Sequence, residues 1–76
     1  MYITKEILWG LLSTINEELN GGYELYWYEG AVRLNFVGED MTGFGTKKET
    51  AQKMKAFLGG ARAAKREALR AGGGEL

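Results

Sequence analysis

Between Tyr23 and Val37 the apolar side chains alternate one by one, and on both sides of that stretch they recur every three or four residues. Alternation buries one face of a strand, and the longer repeat buries one face of a helix, so each pattern needs the other to cover it. The first repeat is Leu8, Leu11, Leu12, Ile15 and Leu19, flanked by Ile7 and Trp9. Thr4 stands at the N-cap position, Glu6 lies in the opening turn, and Asn20-Gly21-Gly22 ends the helix, with Gly suited to the left-handed position there. Gly10 costs such a helix about 1 kcal/mol relative to Ala, which points to a close backbone contact.

Tyr23–Tyr28 and Ala31–Val37 read as two strands joined by the two-residue turn Glu29-Gly30. That register sets Trp27 across from Val32, Leu25 across from Leu34 and Tyr23 across from Phe36, all on one face. The opposite face carries Glu24, Tyr26, Tyr28, Arg33 and Asn35, with Tyr26 and Arg33 placed for a cation–π contact. A second turn over Gly38-Glu39-Asp40 leads to a third strand, Met41–Gly45. A three-residue loop there sets Phe44 beside Leu34 on the core face and Met41 beside Val37 on the open face.

Thr46-Lys47-Lys48-Glu49 has the spacing of a capping box and opens the last helix, in which Ala51, Met54, Phe57, Leu58 and Ala61 share a face. Gly59-Gly60 either ends that helix at Leu58 or sits inside it. The apolar phase runs through the pair into Ala64, Ala68 and Leu69, with Lys65 out of phase, which favours one helix bent at the pair. The expected fold is therefore α+β, of order αβββα with room for a third helix. Its three-stranded antiparallel sheet carries the helices on one face. The domain spans residues 1–71, and 72–76 form a flexible Gly-rich tail.

Composition removes most chemistry. With no Cys and no His, the chain lacks disulfides, thiolates, the commonest metal ligand and the commonest general base. Ser13 is the only serine and has no base to activate it. Glu17 and Glu18 are adjacent on a helix and point apart, and the turn acids Glu39 and Asp40 offer at most weak cation binding. The expectation is a non-catalytic protein with no cofactor and no metal. No apolar run approaches the roughly 20 residues of a membrane span, and no basic segment followed by an apolar run opens the chain. Together with the lack of Cys, this points to the cytoplasm and away from membranes. A chain of 76 residues buries only about 60% of its unfolded surface, so tight packing or self-association, such as a homodimer, must support it.

The neutral total hides a dipole. Residues 1–46 carry seven acids and two bases, net −5, and residues 47–76 carry eight bases and three acids, net +5. Lys48, Lys55, Arg62, Arg66 and Arg70 fall within about 80° of one another on a continuous helix, with Lys47 at its start, and could track a phosphate backbone. The simpler role of such a row is a solvated helix face. Tyr26, Tyr28, Arg33, Asn35 and Met41, bordered by Glu24, have the composition of a protein interface on the open side of the sheet.

Gly43-Phe44-Gly45-Thr46-Lys47-Lys48, together with the order helix–three strands–helix, is similar to the double-stranded RNA-binding domain. There a Gly-rich turn, a Ser or Thr and paired lysines open the last helix. The resemblance covers residues through Leu58 and implies phosphate contacts by Lys47 and Lys48. The spacing before the Lys pair is one residue short, and the first helix is acidic where RNA contacts belong, so nucleic acid is the alternative partner. In size, lack of cysteine and lack of motifs the chain is also similar to the small regulators and inhibitors of phages and mobile elements, anti-CRISPR proteins among them. That likeness implies binding to a protein partner through the acidic half and the aromatic sheet face.

Overall fold

The computed structural model describes residues 3–74, and the side chains of residues 3–70. In chain order it has α1 (Lys5–Glu18), β1 (Tyr23–Tyr28), β2 (Ala31–Phe36), β3 (Glu39–Asp40) and α2 (Lys47–Gly74), with an antiparallel sheet ordered β1-β2-β3. This is the expected α+β class, with both helices packed against the sheet.

Each boundary has a local cause. The Thr4 hydroxyl accepts the Ile7 N–H at 3.3 Å, so α1 begins where its cap stands. At its other end the N–H of Leu19 makes the last helical bond, to Ile15 O at 2.9 Å, and that of Gly21 donates to Asn16 O at 2.8 Å, the six-to-one bond of a Schellman cap. The left-handed position is taken by Asn20 (φ 67°) rather than by glycine, and Gly21 and Gly22 continue it at 83° and 93°. A side chain at Gly22 would be strained: an added Cβ would lie 2.8 Å from the Phe36 ring, on a backbone that L-residues avoid. Gly10, by contrast, has nothing beyond its own helix backbone within 4 Å of an added Cβ, so the close contact expected there does not exist.

β1 and β2 pair as expected, with Trp27 across from Val32, Leu25 across from Leu34 and Tyr23 across from Phe36. The third strand differs from expectation. The second turn is the two-residue Val37-Gly38, with φ of 49° and 81°, so Glu39 pairs with Phe36 and Asp40 with Asn35. The strand is Glu39–Asp40, not Met41–Gly45, and Met41 does not stand beside Val37.

Asp40 is the reason the ladder stops. Its Oδ1 accepts the N–H groups of Thr42 and Gly43 at 3.1 and 2.7 Å and folds the chain into an Asx-type turn. Met41 N–H still donates to Leu34 O at 2.8 Å, and the Thr42 hydroxyl accepts the Leu34 N–H at 3.0 Å. Two-way backbone pairing with β2 resumes at Gly45, which exchanges two 3.0 Å hydrogen bonds with Val32. The residues between form a bulge, and a bulge shifts the alternation. Phe44 consequently lies on the open face of the sheet and not beside Leu34 in the core.

The core is Leu8, Ile15, Val32, Leu34, Ala51, Met54 and Leu58. Buried Thr50 ties α2 to the sheet by donating its hydroxyl to Val32 O at 3.0 Å. The capping box at the start of α2 is closed in both directions: Thr46 N–H donates to Glu49 Oε1 at 2.9 Å, and Glu49 N–H to Thr46 Oγ1 at 3.1 Å. The Thr46 N–H, and after it the Thr46 hydroxyl, favours the carboxylate and holds the Glu49 pKa below its ordinary value.

α2 is one helix through Gly59-Gly60, as the continuous phase implied. It is helical through Gly74, so the first part of the expected tail, 72–74, belongs to it; Glu75 and Leu76 lie outside the described residues. From Arg62 to Arg70 every residue is exposed, and α2 runs on past the core. Apart from the adjoining helix backbone, nothing lies within 4 Å of a Cβ added at Gly59 or Gly60. Replacing both by Ala is therefore expected to stabilise α2 by about 1 kcal/mol per site, through helix propensity alone. A rise in helical ellipticity and in Tm checks this; a fall in Tm would mean that the pair serves a break in the helix.

Candidate protein-binding face

Arg33 leaves β2 toward the side of the sheet that no helix covers, across from Tyr26. Its guanidinium carbon lies 4.9 Å from the centroid of the Tyr26 ring and 4.8 Å from that of Phe44, so the cation sits against two rings at once. Asp40 Oδ2 adds an ion pair to Arg33 Nη1 at 3.5 Å. Phe44 also approaches Tyr28, at 6.1 Å between centroids, and Tyr26 at 6.2 Å in edge geometry. The result is a patch of three exposed aromatic rings around a guanidinium held in place.

The bulge that carries Phe44 is held from two directions. Asp40 closes it from the strand side, and Lys53 of α2 donates to Thr42 O at 2.9 Å. Asn35, two residues beyond Arg33 on the same face of β2, is only 5% exposed, with no hydrogen-bond partner for its Oδ1 among the described residues. Arg33 Nε is likewise buried and unpaired. An unmade hydrogen bond in a buried place is costly, and both atoms lie on this face of the sheet.

Of the residues expected at a protein interface, Tyr26, Tyr28, Arg33 and Asn35 are brought together here. Glu24 stands across from Asn35 at the margin, and Met41 is exposed just after β3. Phe44 was missed, because reading 41–45 as a strand assigned it to the core. The signal that would have found it is Asp40-Met41-Thr42-Gly43, an Asx-turn sequence in which the Asp side chain binds backbone N–H groups. Asn16 was also missed: its amide accepts the Tyr23 N–H at 2.9 Å and donates to Tyr23 O at 3.0 Å, clamping β1 to α1.

The basic row is less uniform than its spacing suggests. Arg62 makes a two-pronged contact with Glu18 of α1, its Nε donating to Oε1 at 2.8 Å and its Nη2 to Oε2. The Arg62 hydrogen bond holds the Glu18 pKa below its ordinary value, and the same bond raises that of Arg62. Arg70 has Glu67 at 3.7 Å, one turn back. Lys48, Lys55 and Arg66 remain exposed along the helix, and Lys47 is half-buried at its start.

Asp40 is engaged by the turn and by Arg33, and no cluster of three acids able to hold a metal ion occurs among the described residues. Among the described residues, no helix is long and apolar enough to cross a membrane. Compared with known family models, curated proteins and solved structures, the chain has no significant match.

Proposed function

We propose that this chain is a non-catalytic protein-binding module that meets its partner through Tyr26, Tyr28, Phe44 and Arg33. The observation that carries this reading is the exposed aromatic cluster around an immobilised guanidinium. Aromatic residues and Arg are enriched at the centres of protein interfaces, and a side chain already fixed loses little entropy on binding. Glu24, on the same face, and Glu29, in the turn after Tyr28, border the patch, so the complementary partner surface is basic. A regulator or inhibitor of the kind found in phages and mobile elements, anti-CRISPR proteins included, would act in this way, by occupying a site on a larger protein.

The test is the double variant Tyr26→Ala, Tyr28→Ala. Both rings are more than half exposed, so the variant is expected to fold with a circular dichroism spectrum like that of the parent. It should then lose the protein that the tagged parent chain retains from nuclease-treated lysate. A folded variant that keeps the partner would overturn the reading.

The continuity of α2 supports one alternative, in which Lys48, Lys55 and Arg66 line up on a helix that projects past the core and bind nucleic acid. It predicts affinity for RNA or DNA that falls steeply with salt. No binding to either at low salt would exclude it.

A further inference from the structure

β1 is an open sheet edge. The turn Glu29-Gly30 makes Tyr28 and Ala31 a hydrogen-bonded pair, so Tyr26 with Arg33 and Glu24 with Asn35 are such pairs as well. The N–H and C=O groups of Tyr23, Leu25 and Trp27 therefore point away from β2. The parity is visible on the far side of β2, where Val32 and Leu34 bond to the chain that follows. Tyr23 is satisfied by the Asn16 amide. Leu25 and Trp27 have no partner for these groups among the described residues. The opposite edge, β3, is only two residues long and closed by its bulge, which is how edges are ordinarily protected. β1 has six residues, with no Lys and no Pro.

We infer that this edge pairs with β1 of a second copy of the chain, antiparallel, about a twofold axis at Tyr26. In that register Leu25 exchanges both of its hydrogen bonds with Trp27 of the second copy, and Trp27 does so with Leu25. Every open group of the edge is then satisfied on both copies, with none left over. A slip that set Leu25 across from itself would bring Trp27 against Tyr23, whose groups Asn16 already holds. The reverse slip would bring Leu25 against Glu29, which lies in the turn. Side chains agree with the register: Tyr26 meets Tyr26, Glu24 meets Tyr28, Leu25 meets Trp27, and no like charges are opposed.

A second feature lies on the same side. Lys5, Trp9, Leu12 and Asn16 form one row along α1, and two of them touch β1: the Lys5 ammonium lies 5.2 Å from a Trp27 ring, and Asn16 holds Tyr23. Trp9 stands between those contacts and is 51% exposed, a large apolar surface beside the open edge. Pairing turns the two α1 flanks toward each other and joins the two sheets into one of six strands. It also supplies the support that so small a chain lacks. The dimer does not depend on the proposed function, because a monomer could still bind a partner through its open face.

Sedimentation of the full chain over a range of concentrations, with amide exchange followed by NMR, tests the inference. The expected result is a dimer in which the Leu25 and Trp27 amides exchange at least about tenfold more slowly than at dilutions where the monomer prevails. Tyr26→Lys and Tyr26→Glu, which oppose like charges at the axis, should each be monomeric, and mixing them should restore a dimer. A monomer at about 1 mM would overturn the inference. So would a dimer whose Leu25 and Trp27 amides exchange as in the monomer. The parent chain's exchange decides the matter even if a Tyr26 variant fails to fold.

Discussion

Leu34→Ala is expected to remove a large share of the domain's stability and to lower its urea midpoint sharply. Leu34 is fully buried at the middle of β2, the central strand, with its N–H bound by Thr42 and its C=O by Met41. Truncating a buried Leu costs about 2–5 kcal/mol, the lost transfer energy plus the cavity. At roughly 0.05–0.15 kcal/mol per residue, a chain of this length has a total of about 4–11 kcal/mol to lose. No disulfide limits the unfolded state. The measurement is urea denaturation followed by circular dichroism. A midpoint unchanged from the parent would mean that the core is not centred on this strand.

Phe44→Ala is expected to do the opposite: keep the fold and lose the partner. Were Phe44 in the core, as its spacing from Leu34 suggests, its removal would cost about 3–5 kcal/mol. On the open face it is 44% exposed, and its contacts are the rings of Tyr26 and Tyr28 and the Arg33 guanidinium. Such contacts are worth about 1 kcal/mol at an exposed site. At the centre of an interface the same ring is worth about 2 kcal/mol or more, a loss of roughly 30-fold in affinity. Urea midpoints compared with those of Leu34→Ala, and titration against the retained partner, separate the two effects. Collapse of the fold would return Phe44 to the core. A folded variant with undiminished binding would remove the patch from consideration.

The two substitutions mark where local reading succeeds and where it stops. Thr4 caps α1, Thr46 and Glu49 close the box that opens α2, and Glu29-Gly30 sets the register of β1 on β2. All of these are interactions within a few residues, or alternations whose phase one short turn conveys. The cation–π contact of Tyr26 with Arg33 followed from that register. The third strand did not follow, because Val37 takes a left-handed conformation that a β-branched residue ordinarily avoids. The turn is thus one residue shorter than the glycine and acid positions imply.

The sequence by itself determined the α+β order, the caps, the hairpin register and the amphipathic faces of both helices, because each depends on neighbours in the chain. Only the tertiary structure decided the composition of the open face and which charges of the dipole are free. Phe44 reached that face because Asp40 bound two backbone N–H groups and Lys53 a carbonyl eleven residues away, inserting a bulge that reversed the alternation. Arg62 left the basic row because α1 and α2 pack side by side and bring Glu18 within reach. Neither contact is periodic, so neither could be read from spacing.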